Sequence, residues 1–215
     1  THRMNQIFVV FALLCSGHLV LAFQMHNALR RGTIRGSQLF MSGDFTLGIL
    51  GDLHLDPRDL SDHYTGRDHF KPILHKKDGT PRKNCAIVSL GDLGESKPCE
   101  PNTSELFAGT SRCHALAAEY LSGFGVPFEV VGGNHDLEGI DEFPTDASNL
   151  ESYLRLLGKP TPYFSRYIAE KTLLVGLGST AFRTAQYTSH EVCIDDEQIA
   201  WFEKTIADHP ASNGW

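Results

Sequence analysis

The sequence predicts an α/β fold in which helices layer against mixed β-sheet, and three observations carry that reading. Short apolar runs closed by glycine occur at Phe45–Leu50, Cys85–Leu90, Phe128–Val131 and Thr172–Leu177. Segments with helix-start and helix-stop chemistry lie between them. A hydrophobic fraction of 41% is enough to build a packed core.

Near-continuous apolar runs suit strands buried on both faces of a sheet. Strand–helix–strand alternation requires crossover connections, which give layers of helix and sheet. Phe164–Ile168, followed closely by Thr172–Leu177, reads instead as an antiparallel hairpin, so the sheet is mixed. Asn102 and Glu105 form a capping pair that predicts a helix through Leu116, Ala117 and Tyr120 to a stop at Gly123. Ser148 and Glu151 do the same for Leu150–Leu157, closed by Gly158. Asp195 and Gln198 open a third helix with Ile199, Phe202 and Ile206 on one face. Phe202 and Tyr120 read as core. No repeat, low-complexity tract or linker interrupts residues 44–215, which form one domain.

Residues 1–43 read as a targeting presequence, signal-like over 4–23 and transit-like over 24–43. Met4 is the first methionine and its expected start. Ile7–Phe23 is 17 mostly apolar residues behind Arg3, short for a membrane span and suited to a signal core. The stretch after it is basic, hydroxyl-bearing and free of acids. An apolar core, then Ala22-Phe23, then a basic segment resembles the bipartite presequences of algae with secondary plastids, which implies a plastid location. An ordinary secretory signal (a secreted or endomembrane location) or a membrane anchor is the alternative. With the presequence removed, no membrane span is expected.

Charge is unevenly divided. Four of the 19 basic residues and none of the 26 acids lie in 1–43, leaving 15 basic against 26 acidic residues beyond. An acidic body argues against general nucleic-acid binding, which works by neutralising phosphates with Lys and Arg. It leaves room for a site in which metal ions meet a phosphate. Cys85, Cys99, Cys113 and Cys193 show no C-x-x-C spacing and read as reduced thiols rather than a zinc site.

The chemistry concentrates at three strand ends. Gly51-Asp52-Leu53-His54, Gly91-Asp92 and Gly133-Asn134-His135-Asp136 each follow an apolar run, with the acids of the first two 40 residues apart. Ligands in open α/β sheets gather outside the carboxyl ends of the strands, so Asp52, His54, Asp92, Asn134 and His135 are expected at one rim. Carboxylate, amide and imidazole together suit divalent metals such as Mn, Fe, Zn or Ni. Glycine before each acid lets backbone or substrate come close. Any one of these pieces alone is good turn chemistry; the ordered set is not accounted for by turns.

The set D-x-H, G-D, G-N-H-D resembles the calcineurin-like metallophosphoesterase superfamily over residues 44–215. The resemblance implies an α/β/β/α layering and a dinuclear metal centre that activates water for phosphoester hydrolysis. It implies that Asp52 and His54 bind one divalent ion, Asp92 bridges two, and Asn134 binds the other. His135 would act as general acid or transition-state donor, oriented by Asp136. A small phosphorylated substrate is the implied partner; the oligomeric state is not legible.

The sequence departs from the superfamily pattern in lacking the later lone His and G-H-x-H. His209, in ADHPASNGW, follows no apolar strand and reads as a helix-end residue rather than a ligand. The expectation is therefore a domain incomplete at its C-terminus, with a site incomplete for activity. A non-catalytic scaffold of the same fold is the alternative. Gly91-Asp92-Leu93-Gly94-Glu95 also lacks the Arg of the protein Ser/Thr phosphatases and the Tyr ligand of the purple acid phosphatases. Arg58, His63, Arg67, His69, Asp141 and Asp146 lie within reach of substrate in sequence but read as solvated loop or helix-face residues. His114 and His190 read as surface.

Overall fold

Five ladders among the described residues, three parallel and two antiparallel, organise the chain into two mixed sheets. In the computed structural model, residues 6–11, 20–24, 45–169, 172–179 and 193–209 are described, the first two segments as backbone only. The elements in chain order are β1 (Gln6–Phe11), β2 (Val20–Gln24), β3 (Thr46–Leu50), α1 (Ser61–Leu74), β4 (Cys85–Ser89), α2 (Ser111–Ser122), β5 (Phe128–Val130), α3 (Asp146–Leu157), β6 (Phe164–Ala169), β7 (Thr172–Leu177) and α4 (Asp196–Asp208). The larger sheet has the order β2-β3-β4-β5, with β3-β4-β5 parallel and β2 antiparallel at its edge. The smaller has the order β1-β7-β6, with β1 parallel to β7 and β6–β7 an antiparallel hairpin. The mixed α/β class, the strand positions and the hairpin agree with the sequence expectation to within a residue at each end.

Alternation along the buried strands explains the layers. In β4, Cys85 and Ile87 join a core cluster that includes Phe70 and Leu74 of α1, Ala117 and Leu121 of α2, and Tyr153 and Leu157 of α3. Ala86 and Val88 point the other way and meet Leu174 of β7 and Ile168 of β6. In β7, Leu173, Val175 and Leu177 turn from that interface toward Tyr163 and toward Trp201 and Phe202 of α4. Successive side chains in a strand face opposite sides. A strand between two apolar layers must therefore be apolar on both faces, as β4 is from Cys85 to Val88 and β7 from Leu173 to Leu177.

The helices correct the sequence reading in three places. α2 begins at Ser111, where the Thr110 side chain accepts from the Cys113 N–H; Asn102 instead sits at φ 61 in the preceding loop. α3 begins at Asp146 under Thr145, and Ser148 closes the capping box as its third residue rather than opening the helix. Its end at Gly158 is as expected, with φ 66 there, a left-handed stop that glycine adopts without strain. α4 is capped by Asp195 as expected, but its buried residues are Gln198 and Thr205, while Ile199 faces solvent. The amide of Gln198 explains the shift: it bonds both the N–H and the carbonyl of Gly178, each at 3.0 Å, tying α4 to the end of β7.

α1 escaped the sequence reading altogether. It carries Gly66 and Pro72 and buries only Phe70 and Leu74, so its apolar stripe is too sparse to announce a helix. Residues 6–11 and 20–24, which fall in the expected presequence, pair with β7 and β3 respectively. The rest of that presequence, and His190, lie outside the described residues. No helix among the described residues is long and apolar enough to cross a membrane.

Candidate metal centre

The three strand-end motifs converge because the parallel ladder does not stop where β3 and β4 end. Leu53 N and His54 N both donate to Asp92 O, at 3.0 and 2.8 Å, and Leu55 N donates to Leu93 O at 2.9 Å. This extended pairing draws Asp52, His54 and Asp92 together, so that one ligand atom from each lies within 4.8 Å of the others. The third strand end is locked to the second. His135 N donates to Asp92 Oδ1 at 3.0 Å, and the His54 and His135 rings are 5.7 Å apart. Asn134, buried between Gly133 and His135, is thereby carried to the same rim.

The glycines serve this convergence more than substrate access. Gly91 has φ 95, and a Cβ there would lie 2.1 Å from Gly133 N. A Cβ on Gly133 would lie 2.2 Å from Asp92 Oδ1. Only backbone without side chains lets the two loops touch. His54 and Asp92 themselves adopt left-handed φ values of 44 and 48. His and Asp tolerate that region better than most residues, and its cost is borne where a site fixes the backbone.

Asp136 has a different task from the one the resemblance implied. Its carboxylate accepts from Asp92 N and Gly133 N through Oδ2, at 3.0 and 2.8 Å, and from Leu93 N through Oδ1 at 2.8 Å. It pins two loops rather than orienting His135. The carboxylate that faces His135 is Glu138, whose Oε1 lies 2.8 Å from Nδ1. Residues 134–137 form a 3₁₀ turn. Side chains three apart eclipse in that geometry, which sets Glu138 under His135 and turns Asp136 away. Ser96 Oγ holds the other oxygen of Glu138 at 3.0 Å. Glu138 and Ser96 were not singled out by the sequence reading; the i, i+3 spacing to His135 is the signal that finds Glu138.

Electrostatics follow from this packing. Burial raises the Asp92 carboxyl above its ordinary range; the His135 N–H opposes that and the neighbouring Asp52 charge adds to it. The hydrogen bond to Glu138 raises His135, favouring the imidazolium. Burial pushes Asp136 up to about 7. Two acids and an imidazole gathered on strained backbone form a donor set that fits a divalent cation, which would relieve the repulsion between Asp52 and Asp92. His54 supplies the borderline-soft nitrogen and the acids the hard oxygens.

The other candidates fall away from this cluster. Arg58 is clamped by its own neighbour, with Nε and Nη2 on the two oxygens of Asp56 at 2.9 and 2.6 Å. Arg67 bonds the Tyr120 carbonyl and lies over the Tyr64 and Tyr120 rings. Asp141 is exposed, and Asp146 is buried at the start of α3 rather than solvated. His63 and His69 border a cavity of about 520 Å³ that reaches Asp52. His209 stacks edge-on against Tyr167 and bonds its hydroxyl, apart from the metal cluster. His114 is the plain misreading: it is fully buried, its Nε2 meets the Asp136 carbonyl at 3.1 Å, and burial lowers it to about 4. All four cysteines of the domain are free. No protein-family model matches the chain and no curated protein matches it, so the superfamily resemblance rests on the motif residues themselves.

Proposed function

We propose that the chain is a metal-dependent phosphoester hydrolase with the layered α/β/β/α fold of calcineurin-like metallophosphoesterases. The observation that carries this reading is the gathering of Asp52, His54 and Asp92 at the carboxyl end of a parallel sheet. Helix clusters on the outer faces of two packed sheets support the layering. Asp52, His54, Asp92 and Asn134 would hold two divalent ions of the Mn, Fe, Zn or Ni type, with Asp92 between them. Bound there, such ions would neutralise phosphate charge and lower the pKa of a water. His135 would give its proton to the leaving oxygen or stabilise the equatorial oxygens. Glu138, 2.8 Å from Nδ1, would leave Nε2 to meet the substrate. The cavity beside Asp52 gives the organic part of a small phosphorylated substrate a place to sit. Delivery to a plastid by residues 1–43 belongs to the same proposal.

Metal binding is the decisive readout, because the lone His and G-H-x-H that would complete a dinuclear ligand set do not occur in this chain. Titration of Mn into the purified protein should show binding that Asp92→Asn abolishes. Mn-dependent hydrolysis of an aryl phosphate or diester, weak with this incomplete ligand set, should disappear with it. Mn affinity that ignores Asp92→Asn would end the proposal.

A further inference from the structure

A second site lies at the amino ends of the strands, away from the metal rim. The residues between α1 and β4, with those leading into β5, enclose a cavity of about 640 Å³. Lys71, His75, Lys76, Lys77 and Arg82 line it, together with the aromatic ring of Phe124. Small-molecule pockets occupy roughly 300–1,000 Å³.

The charge here opposes that of the domain. Residues 71–83 hold Lys71, Lys76, Lys77, Arg82 and Lys83 against the single acid Asp78, in a body where acids outnumber bases. Asp78 is turned inward on its own loop, accepting from Thr80 N and Oγ1 at 2.9 and 2.7 Å. Lys71 is paired with Asp68, whereas Lys76, Lys77 and Arg82 make no ion pair among the described residues. One acid, Asp78, stands against five cations here, and the excess of positive charge favours an anion. The backbone holds them there: Lys76 N bonds Thr80 O at 2.8 Å, Arg82 N bonds Leu74 O at 2.8 Å, and Arg82 Nη2 reaches Pro72 O at 3.2 Å.

We propose that this cavity binds a soluble phosphate monoester or a similar small organic dianion. Cations around the mouth would take the charged head and Phe124 the apolar body. A lipid headgroup carries the same phosphate chemistry, but the exposed large apolar residues among the described ones, Tyr64, Ile140, Tyr167 and Ile199, all lie outside this cavity. It has nothing of that kind to insert into a bilayer, which favours the soluble source.

The test is calorimetric titration of phenylphosphonate, whose C–P bond resists hydrolysis, into the full chain in EDTA. Stripping metal keeps the rim silent, so the outcome does not depend on the hydrolase reading. One-site binding is expected, equal in Asp92→Asn and weakened by salt. The Lys76→Gln/Lys77→Gln/Arg82→Gln variant should bind about tenfold more weakly or worse, since a hydrogen bond to a charged group contributes about that factor. Lys97→Gln/Lys204→Gln, which alters exposed lysines elsewhere, should bind normally. Absence of saturable binding, or equal binding by the triple variant with native circular dichroism, overturns the proposal. So does capture by phosphatidic-acid vesicles without affinity for phenylphosphonate.

Discussion

At the scale of single residues, the contact between Glu138 and His135 separates two accounts of the rim. If Glu138 orients the imidazole, Glu138→Gln should lower kcat about 10- to 100-fold, as loss of a supporting partner does elsewhere, while Mn content stays native. Asp136→Asn should act through stability instead, because one of three backbone donors loses its acceptor, at a cost of about 1–3 kcal/mol in chemical denaturation. A kcat defect in Asp136→Asn at native stability would return the orienting role to Asp136. His114 sets a pH dependence. Its folded value, about 4, is depressed below the ordinary 6.5, so the unfolded chain binds the extra proton first. The stability it contributes is present above pH 6.5 and is lost as pH falls toward 4, on the order of 3 kcal/mol in total. His114→Gln should flatten that part of a stability–pH curve; an unchanged slope would assign the acid sensitivity to other groups.

Elements raise the question of where helices start and how loops meet. Thr110→Ala should cost about 1 kcal/mol through loss of the α2 cap, and Asn102→Gly, which suits the left-handed backbone at that position, almost nothing, as read by urea unfolding. The reverse order would put the helix start back at Asn102. Gly133→Ala tests the loop contact. Its new Cβ would collide with Asp92 Oδ1 and with backbone, so the loops must part. Mn binding should be lost while the far-ultraviolet spectrum, dominated by α1–α4, is retained. Native Mn affinity in Gly133→Ala would mean that the rim does not depend on that approach.

For the whole molecule, the open question is the first 43 residues. β1 and β2 are edge strands of their sheets. The inner pair β3–β4 and every cluster of side chains described here are built from residues 45 onward. A chain beginning at residue 44 should therefore fold and keep the metal rim, as the presequence reading requires. Its newly bared β3 and β7 edges should raise its tendency to self-associate. Circular dichroism with size-exclusion chromatography checks this; a chain that fails to fold would make β1 and β2 integral parts of the domain.

The sequence by itself determined the five strands from residue 45 onward, the β6–β7 hairpin and the rim candidates, but not β1 and β2. Buried strands must be apolar on both faces, and the strand-end motifs are short enough for spacing to fix. Asp52, His54 and Asp92 were legible for that reason, because each sits within four residues of a strand end whose place in the sheet follows from topology. Only the tertiary structure decided which carboxylate serves which neighbour. Asp136 and Glu138 differ by two positions, and a 3₁₀ turn rather than an extended loop sends one to backbone amides and the other to the imidazole. It likewise decided that His114 is core, because what buries it is α3, an element more than thirty residues away. Hydrophobic pattern is written locally; the partner of a polar group is chosen by whatever the fold brings next to it.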